Sequence, residues 1–348
     1  MATTCLINNY NYARFVGDAV ESALAQSVPF DEVIVVDDGS RDDSVELLTR
    51  RYAEHSAVRI VAKEHQGQLS CFNEGYACST GDIVFFLDAD DVYEPNYVEQ
   101  ALAVYTANPN FDFVFCGCRH FGQRDSLHLA SSEDRDLGYS VILAAYLRHW
   151  IGASTSCLSM RRGVLEKILP FPFIEDWRIR ADDCLVFGSS LAGARKYYLA
   201  QPLVRRRVHD DNRFVGCSPA KFATYRRRLA INTLFAYLEH KFCYDVGRLA
   251  DFHHHEFCTI AKPTFAQLIQ YLRISRKSRT SLFRRLACIT EMTRHYLRAA
   301  FGSSLSAEST TASVMAHGPA TTLRLFDPAD LPTATPARHP RRHQRQAA

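Results

Sequence analysis

No two cysteines in this chain are spaced as CxxC, although the 348 residues include 11 of them. That absence excludes a ready-made zinc knuckle or a thioredoxin-like redox pair. Cys116 and Cys118, two apart, are instead expected as free thiols on one face of a strand. An odd count scattered along a long chain fits a reducing compartment. Long apolar runs are missing too. Val33–Val36 and Ile83–Leu87 both end in acids, far short of the roughly 20 residues of a membrane-spanning helix. No basic leader with an apolar segment precedes the first strand at residues 5–7, so the expected location is cytoplasmic, with the inner face of the membrane as its extension. A large charge of one sign is also lacking: the formal net charge is +3, and the total therefore nominates no polyanionic partner.

What is present is a chain built to fold. Hydrophobic residues make up 47% and charged residues 23%, which excludes general disorder. The length suits one large α/β domain with an appendage, or two ordinary domains. Apolar runs at Cys5–Ile7, Glu32–Val36, Val58–Val61, Asp82–Leu87 and Phe111–Cys116 alternate with helical periodicity at Phe15–Leu24, after Asp42-Asp43, at Ser70–Ala77 and after Pro95. Fully apolar strands imply a parallel sheet covered on both faces. The alternation predicts a doubly wound three-layer α/β sandwich. Residues 119–136 read as polar loop, Ser154–Ser159 as a strand, and Tyr197–Leu199 and Leu203–Val208 as short strands around Pro202.

The acids fall where chemistry is expected. Asp37-Asp38 and Asp88-Ala89-Asp90-Asp91 both stand just beyond apolar strands, the place where open α/β sheets hold ligands. Carboxylates this close raise each other's pKa. A hard divalent cation with oxygen ligands relieves that conflict. A plainer role as helix cap stays open for Asp91, ahead of Tyr93-Glu94-Pro95.

Taken in order, a first strand leading into Asn9-Tyr10-Asn11, then Val35-Val36-Asp37-Asp38-Gly39-Ser40, Asn73-Glu74-Gly75, Thr80-Gly81-Asp82 and Phe86-Leu87-Asp88-Ala89-Asp90-Asp91 resemble glycosyltransferase family 2. The resemblance spans residues 3–215 and is densest over 3–100. It implies a GT-A fold with a mixed, mainly parallel sheet over residues 1–215 and a nucleotide-sugar donor, UDP-linked, as substrate. It also implies metal-dependent, inverting transfer to a saccharide or lipid-linked acceptor in polysaccharide or glycoconjugate biosynthesis. By position, Asn9 and Asp38 (or Asp37) would hold the nucleobase and ribose, with Asn73 on the donor side. Asp88 would meet the ribose or the metal-bound diphosphate, and Asp90 would ligate Mn²⁺ or Mg²⁺. Relatives commonly read Ala-Arg-Asn where this chain has Cys71-Phe72-Asn73, so that arginine's contribution is absent or comes from elsewhere.

An inverting transfer also needs a carboxylate to deprotonate the acceptor hydroxyl. The family places an acidic pair about ninety residues beyond the Asp-x-Asp motif, where Asp182-Asp183 stands. Asp183 is the preferred base and Asp182 the next; a helix cap is the alternative for the pair. Val208-His209-Asp210-Asp211-Asn212 resembles the Val-His-x-x-Asn stretch that closes such domains, making His209 a metal or phosphate ligand, or otherwise a loop histidine. Trp177 is a candidate acceptor platform or a core aromatic, and Arg178 and Arg180 meet phosphate or balance their acidic neighbours.

Residues 216–302 read as a helical, basic appendage and 303–348 as a disordered tail. Between Lys262 and Arg298 there are nine Lys or Arg and a single acid, Glu291. A solvated helix face and peripheral contact with anionic membrane are both open; no nucleic-acid module is present, and nucleic acid is not an expected partner. Two other functions compete: a nucleotidyltransferase, or a non-catalytic nucleotide-sugar-binding protein.

Overall fold

The computed structural model describes residues 1–210 and 221–301; the expected disordered tail lies outside them. Ten strands make one sheet: β1 (Thr3–Asn9), β2 (Glu32–Asp37), β3 (Val58–Ala62), β4 (Ile83–Asp88), β5 (Val92–Tyr93), β6 (Phe113–Gly122), β7 (Ser126–His128), β8 (Arg135–Gly138), β9 (Leu158–Arg161) and β10 (Lys196–Val208). Their order is β3-β2-β1-β4-β9-β6-β10-β5, with β7 on β6 and β8 on β10. β3, β2, β1 and β4 run parallel, as do β6 and β10, while β9 is antiparallel between β4 and β6. This is the mixed, mainly parallel α/β sheet the sequence predicts.

Alternation within the apolar strands decides which helices cover which face. On β1, Leu6 enters one core with Val84 and Phe86 of β4, while Cys5 and Ile7 enter the other with Ile83, Phe85 and Leu87. The second face is covered by α1 (Val16–Leu24), α2 (Ser44–Tyr52) and, with α3 (Gln68–Cys78) on the opposite side, α4 (Tyr97–Ala107). α3 sits very close to β1, because a Cβ at Gly75 would fall 2.5 Å from Leu6 Cδ1. The first core continues through α5 (Val141–Leu147), α6 (Arg162–Ile168) and α7 (Asp182–Leu191).

The C-terminal helices are α8 (Lys221–Lys241), α9 (Val246–Leu249), α10 (His253–Cys258), α11 (Phe265–Ser275) and α12 (Leu282–Phe301). They share that first core: Leu234, Phe235, Leu238, Phe257, Tyr271 and Met292 belong to the same cluster as α5 and α7. Glu256 of α10, fully buried, accepts from the N–H groups of Ile142 and Leu143 at 2.8 and 2.9 Å and from the Tyr271 hydroxyl at 2.8 Å. Its carboxylate thus satisfies the otherwise orphaned donors at the start of α5.

Three sequence expectations need correcting. Residues 119–136 are not all loop: β6 runs on to Gly122, β7 follows, and β8 starts at Arg135. These strands are polar because they lie at the exposed end of the sheet, so they lack the apolar alternation that announces a strand. The two strands expected around Pro202 are one, β10, which keeps its pairing with β6 across register shifts on either side of that proline. Ser154–Ser159, read as a strand, is a short 3-10 turn (Thr155–Cys157) leading into β9.

Candidate functional site

The strand order reverses direction at β1, with β2 on one side and β4 on the other. Ligands of open α/β sheets sit at this switch point, beyond the carboxyl ends of the strands. Register puts Asn8 opposite Asp88 and Asn9 opposite Asp37. Consecutive side chains point to opposite faces, so each asparagine serves one acid: Asn8 Nδ2 donates to Asp88 Oδ1 at 3.1 Å and Asn9 Nδ2 to Asp37 Oδ2 at 2.6 Å. Beyond them opens a cavity of about 270 Å³, lined by Asn9, Tyr10, Asp38, Asp88, Asp90 and Arg178 among others.

Asp37 is fully buried and holds the turn after β2, accepting from Ser40 N at 2.8 Å and Ser40 Oγ at 2.7 Å. Asp38 is the hub of a second loop. Lys63 Nζ at 2.7 Å, Gln66 N at 2.9 Å, Gly67 N at 2.7 Å and His65 Nδ1 at 2.8 Å all converge on its carboxylate. Gly67 allows this through its φ of +96°, and its Cα lies so close to Arg178 that any side chain would collide. The next residue, Gln68, opens α3 and joins the two halves of the site. Gln68 Nε2 donates to Asp88 Oδ1 at 3.0 Å, and Gln68 Oε1 accepts from Ala181 N at 2.9 Å, one residue before α7.

The oxygens of Asp88, Asp90 and Asp91 lie within 4.8 Å of one another. Burial raises the pKa of all three, and mutual repulsion adds to it at Asp88 and Asp90. Asp91 is no helix cap. It accepts from Ser156 Oγ at 2.6 Å and from Arg207 N at 2.9 Å, with Arg206 Nε 3.7 Å away. His209 Nε2 stands 3.1 Å from Asp90 Oδ2, its ring packed against Phe15 and Tyr12. Carboxylate oxygens with one imidazole, at the mouth of a cavity, form a donor set that suits Mn²⁺ or Mg²⁺. Asp88 and Asp90, with His209 against Asp90, could hold such an ion, while both oxygens of Asp91 are engaged within the protein.

The acids at the start of α7 have different surroundings. Asp183 is fully buried and held by two parallel bonds from Arg227 of α8, each 3.0 Å, with Arg180 Nε at 3.9 Å. Asp182 is half-buried, and its carboxyl is pushed up to about 6 by burial and by the neighbouring Asp183. Arg227 gives no signal in the sequence, where it is one of three consecutive arginines. One expected role is corrected. Asn73 does not line the cavity; it exchanges two 2.9 Å bonds with the backbone of Phe171. Of the two roles open to Trp177, the structure shows the core aromatic. Phe72 is buried against Phe86, and positive charge at the cavity comes from Arg178, Arg180, Arg206 and Arg207.

Residues 4–169 match the family model of glycosyl transferase family 2. An uncharacterized glycosyltransferase of Nostoc sp. is 34% identical over 229 residues, which cover 63% of this chain and 69% of that protein. A chondroitin synthase of Escherichia coli is 36% identical over 113 residues, 30% of this chain and 16% of the synthase. Among solved structures, S. aureus TarS 1-349 in complex with UDP-GlcNAc superposes with a TM-score of 0.55 at 16% identity, covering 87% of this chain and 92% of that one.

The Arg227–Asp183 pair yields a stability test. Arg227→Ala leaves a buried carboxylate short of its main partner and is expected to cost about 2 kcal/mol or more in urea denaturation. Adding Asp183→Asn to that variant should recover part of the loss. Equal loss in the single and double variants would show that the pair contributes only packing.

Proposed function

We infer the reaction from the family: this chain belongs to glycosyltransferase family 2 and is a glycosyltransferase of glycan biosynthesis. It takes a UDP-linked sugar and passes the sugar, with inversion, to a saccharide or lipid-linked acceptor. The observation that carries this reading is the convergence of Asp88, Asp90 and Asp91, with His209 against Asp90, beside a cavity fringed with arginines. The UDP and UDP-GlcNAc complexes of the TarS fold relative support a nucleotide-sugar donor.

Each residue has a distinct task. Asn9 Oδ1 is buried with no hydrogen-bond partner and suits an N–H or O–H of the nucleoside. Asp37 and Asp38 act through the turn and loop they fix. Asp90 and His209 hold a Mn²⁺ or Mg²⁺ ion, with Asp88 beside it or on the ribose. When bound, such an ion neutralises charge developing on the leaving diphosphate. Asp182 is the better base of the acidic pair. It keeps solvent access and a carboxyl near 6, close to the pH at which a base works best, whereas both oxygens of Asp183 are engaged by Arg227.

Contact with anionic membrane is supported by the surface of α12. Phe283, Leu286 and Leu297 are exposed on one side of that helix, and Arg273, Arg276, Lys277, Arg279 and Arg284 are exposed nearby in sequence. Apolar side chains among cations fit a surface-bound helix. No helix among the described residues is long and apolar enough to cross a membrane.

Calorimetric titration of UDP with Mn²⁺ tests the donor site: Asp90→Ala should weaken metal-dependent binding by roughly a hundredfold, and an absence of UDP binding in the unaltered chain would sink the reading. The base is tested by the pH profile of UDP-sugar turnover. Below about 6 the Asp182 carboxyl is protonated and accepts no proton, so the rate should fall on the acid side. Asp182→Asn should lower kcat by about 10²-fold or more and remove that limb, and Asp183→Asn should retain it; the opposite pattern would assign the base to Asp183. Vesicle co-sedimentation checks the membrane contact. Retention on phosphatidylglycerol vesicles should exceed that on phosphatidylcholine alone and weaken with salt and in Phe283→Asp; equal retention on both would refute it.

A further inference from the structure

We propose that a second cavity, walled by Trp150, Tyr198, His120 and Arg206, is the acceptor subsite and receives a ring of an uncharged saccharide. The proposal rests on the glycosyl-transfer reading and extends it to the acceptor. This cavity measures about 430 Å³ and lies between β6, β7 and the segment around Trp150–Cys157. Arg206 lines both this cavity and the one at the acid cluster, so a molecule seated here borders the reacting centre.

The lining has the two properties a sugar ring needs. Phe115, Leu127 and Leu129 offer apolar surface for its C–H faces, and Trp150 offers a flat aromatic one. The lining polar groups left with spare capacity include donors. Trp150 Nε1 and Arg206 Nε are buried and make no hydrogen bond among the described residues. Tyr198 accepts from Ala130 N at 2.8 Å, which leaves its own O–H to donate. No carboxylate lines the cavity. Buried donors without acceptors are costly, and the hydroxyl and ring oxygens of a saccharide supply what they lack.

Charge argues for a neutral ring. The guanidinium of Arg206 already faces Asp91 at 3.7 Å. His120 shares Ser126 with His128 at 3.2 and 2.9 Å, and burial together with that second imidazole lowers its pKa to about 4, so it is uncharged at neutral pH. Little positive charge is left over to attract an anionic group.

The test applies the full chain, with UDP and Mn²⁺, to a glycan array carrying neutral, uronate-bearing and phosphorylated oligosaccharides. Retention on neutral glycans is expected. Trp150→Ala should weaken it by roughly tenfold or more, and Trp150→Phe, which keeps the ring but not the N–H, by less. UDP affinity and melting temperature should match the unaltered chain in Trp150→Phe, which separates lost recognition from lost folding. Retention unaffected by either variant, preference for acidic glycans, or no retention by a chain that still binds UDP would each overturn the assignment. A chain that binds neither glycan nor UDP would overturn the transferase reading with it.

Discussion

Three carboxylates crowd the buried end of β4, and much of the surrounding architecture answers their repulsion. At separations up to 4.8 Å, two unit charges oppose each other by roughly 3.5 kcal/mol at an effective dielectric of about 20. β10 brings the compensation. Its pairing with β5, Val204 opposite Tyr93 and Arg205 opposite Val92, stitches it to the chain just after the acids. That places Arg206, Arg207 and His209 over Asp91 and Asp90. Burial first, and repulsion at Asp88 and Asp90, still hold the three carboxyls above the usual range.

The motif acids are tied together by two side chains that belong to no motif, Gln68 and Arg227. Asp38 gathers the loop at residues 63–67, that loop presents Gln68, and Gln68 bridges Asp88 to Ala181. Ala181 leads into α7, whose Asp183 is gripped by Arg227 of α8. One continuous path of hydrogen bonds and ion pairs therefore runs from the strand ends to the C-terminal helices. The same helices share the core of α5 and α7 and cap α5 through Glu256, so they act as a wall of the catalytic body at this face.

Two cavities meeting at Arg206 divide the chemistry by polarity. The one at the acid cluster is lined by carboxylates, asparagines and arginines, suited to a charged nucleotide and its cation. The other is lined by aromatic and aliphatic side chains with a few hydrogen-bond donors and one cation, Arg206, suited to the flat, hydroxyl-bearing surface of a sugar. Cys116, Cys118 and Cys157 border the second cavity as free thiols within the core, in agreement with the shared strand face expected for the first two.

The sequence by itself determined the alternating parallel sheet and the positions of Asp37, Asp88 and Asp90, because apolar runs that stop abruptly in acids follow from local periodicity. Resemblance to a short family motif nominated His209 as a metal or phosphate ligand, and the fold sets its imidazole 3.1 Å from Asp90. Tertiary structure alone decided how the acids are employed. Asp91 and Asp183 look like Asp90 and Asp182 in the sequence, and they differ because Ser156, Arg207 and Arg227 arrive from 44 or more residues away in sequence to occupy their oxygens. Asn73 and Trp177 carried plausible motif roles that packing assigned to the core and its supports. Local pattern specifies which residues stand at a strand end, while the partners that occupy a carboxylate are set by contacts between distant segments, which leave no periodic trace in the chain.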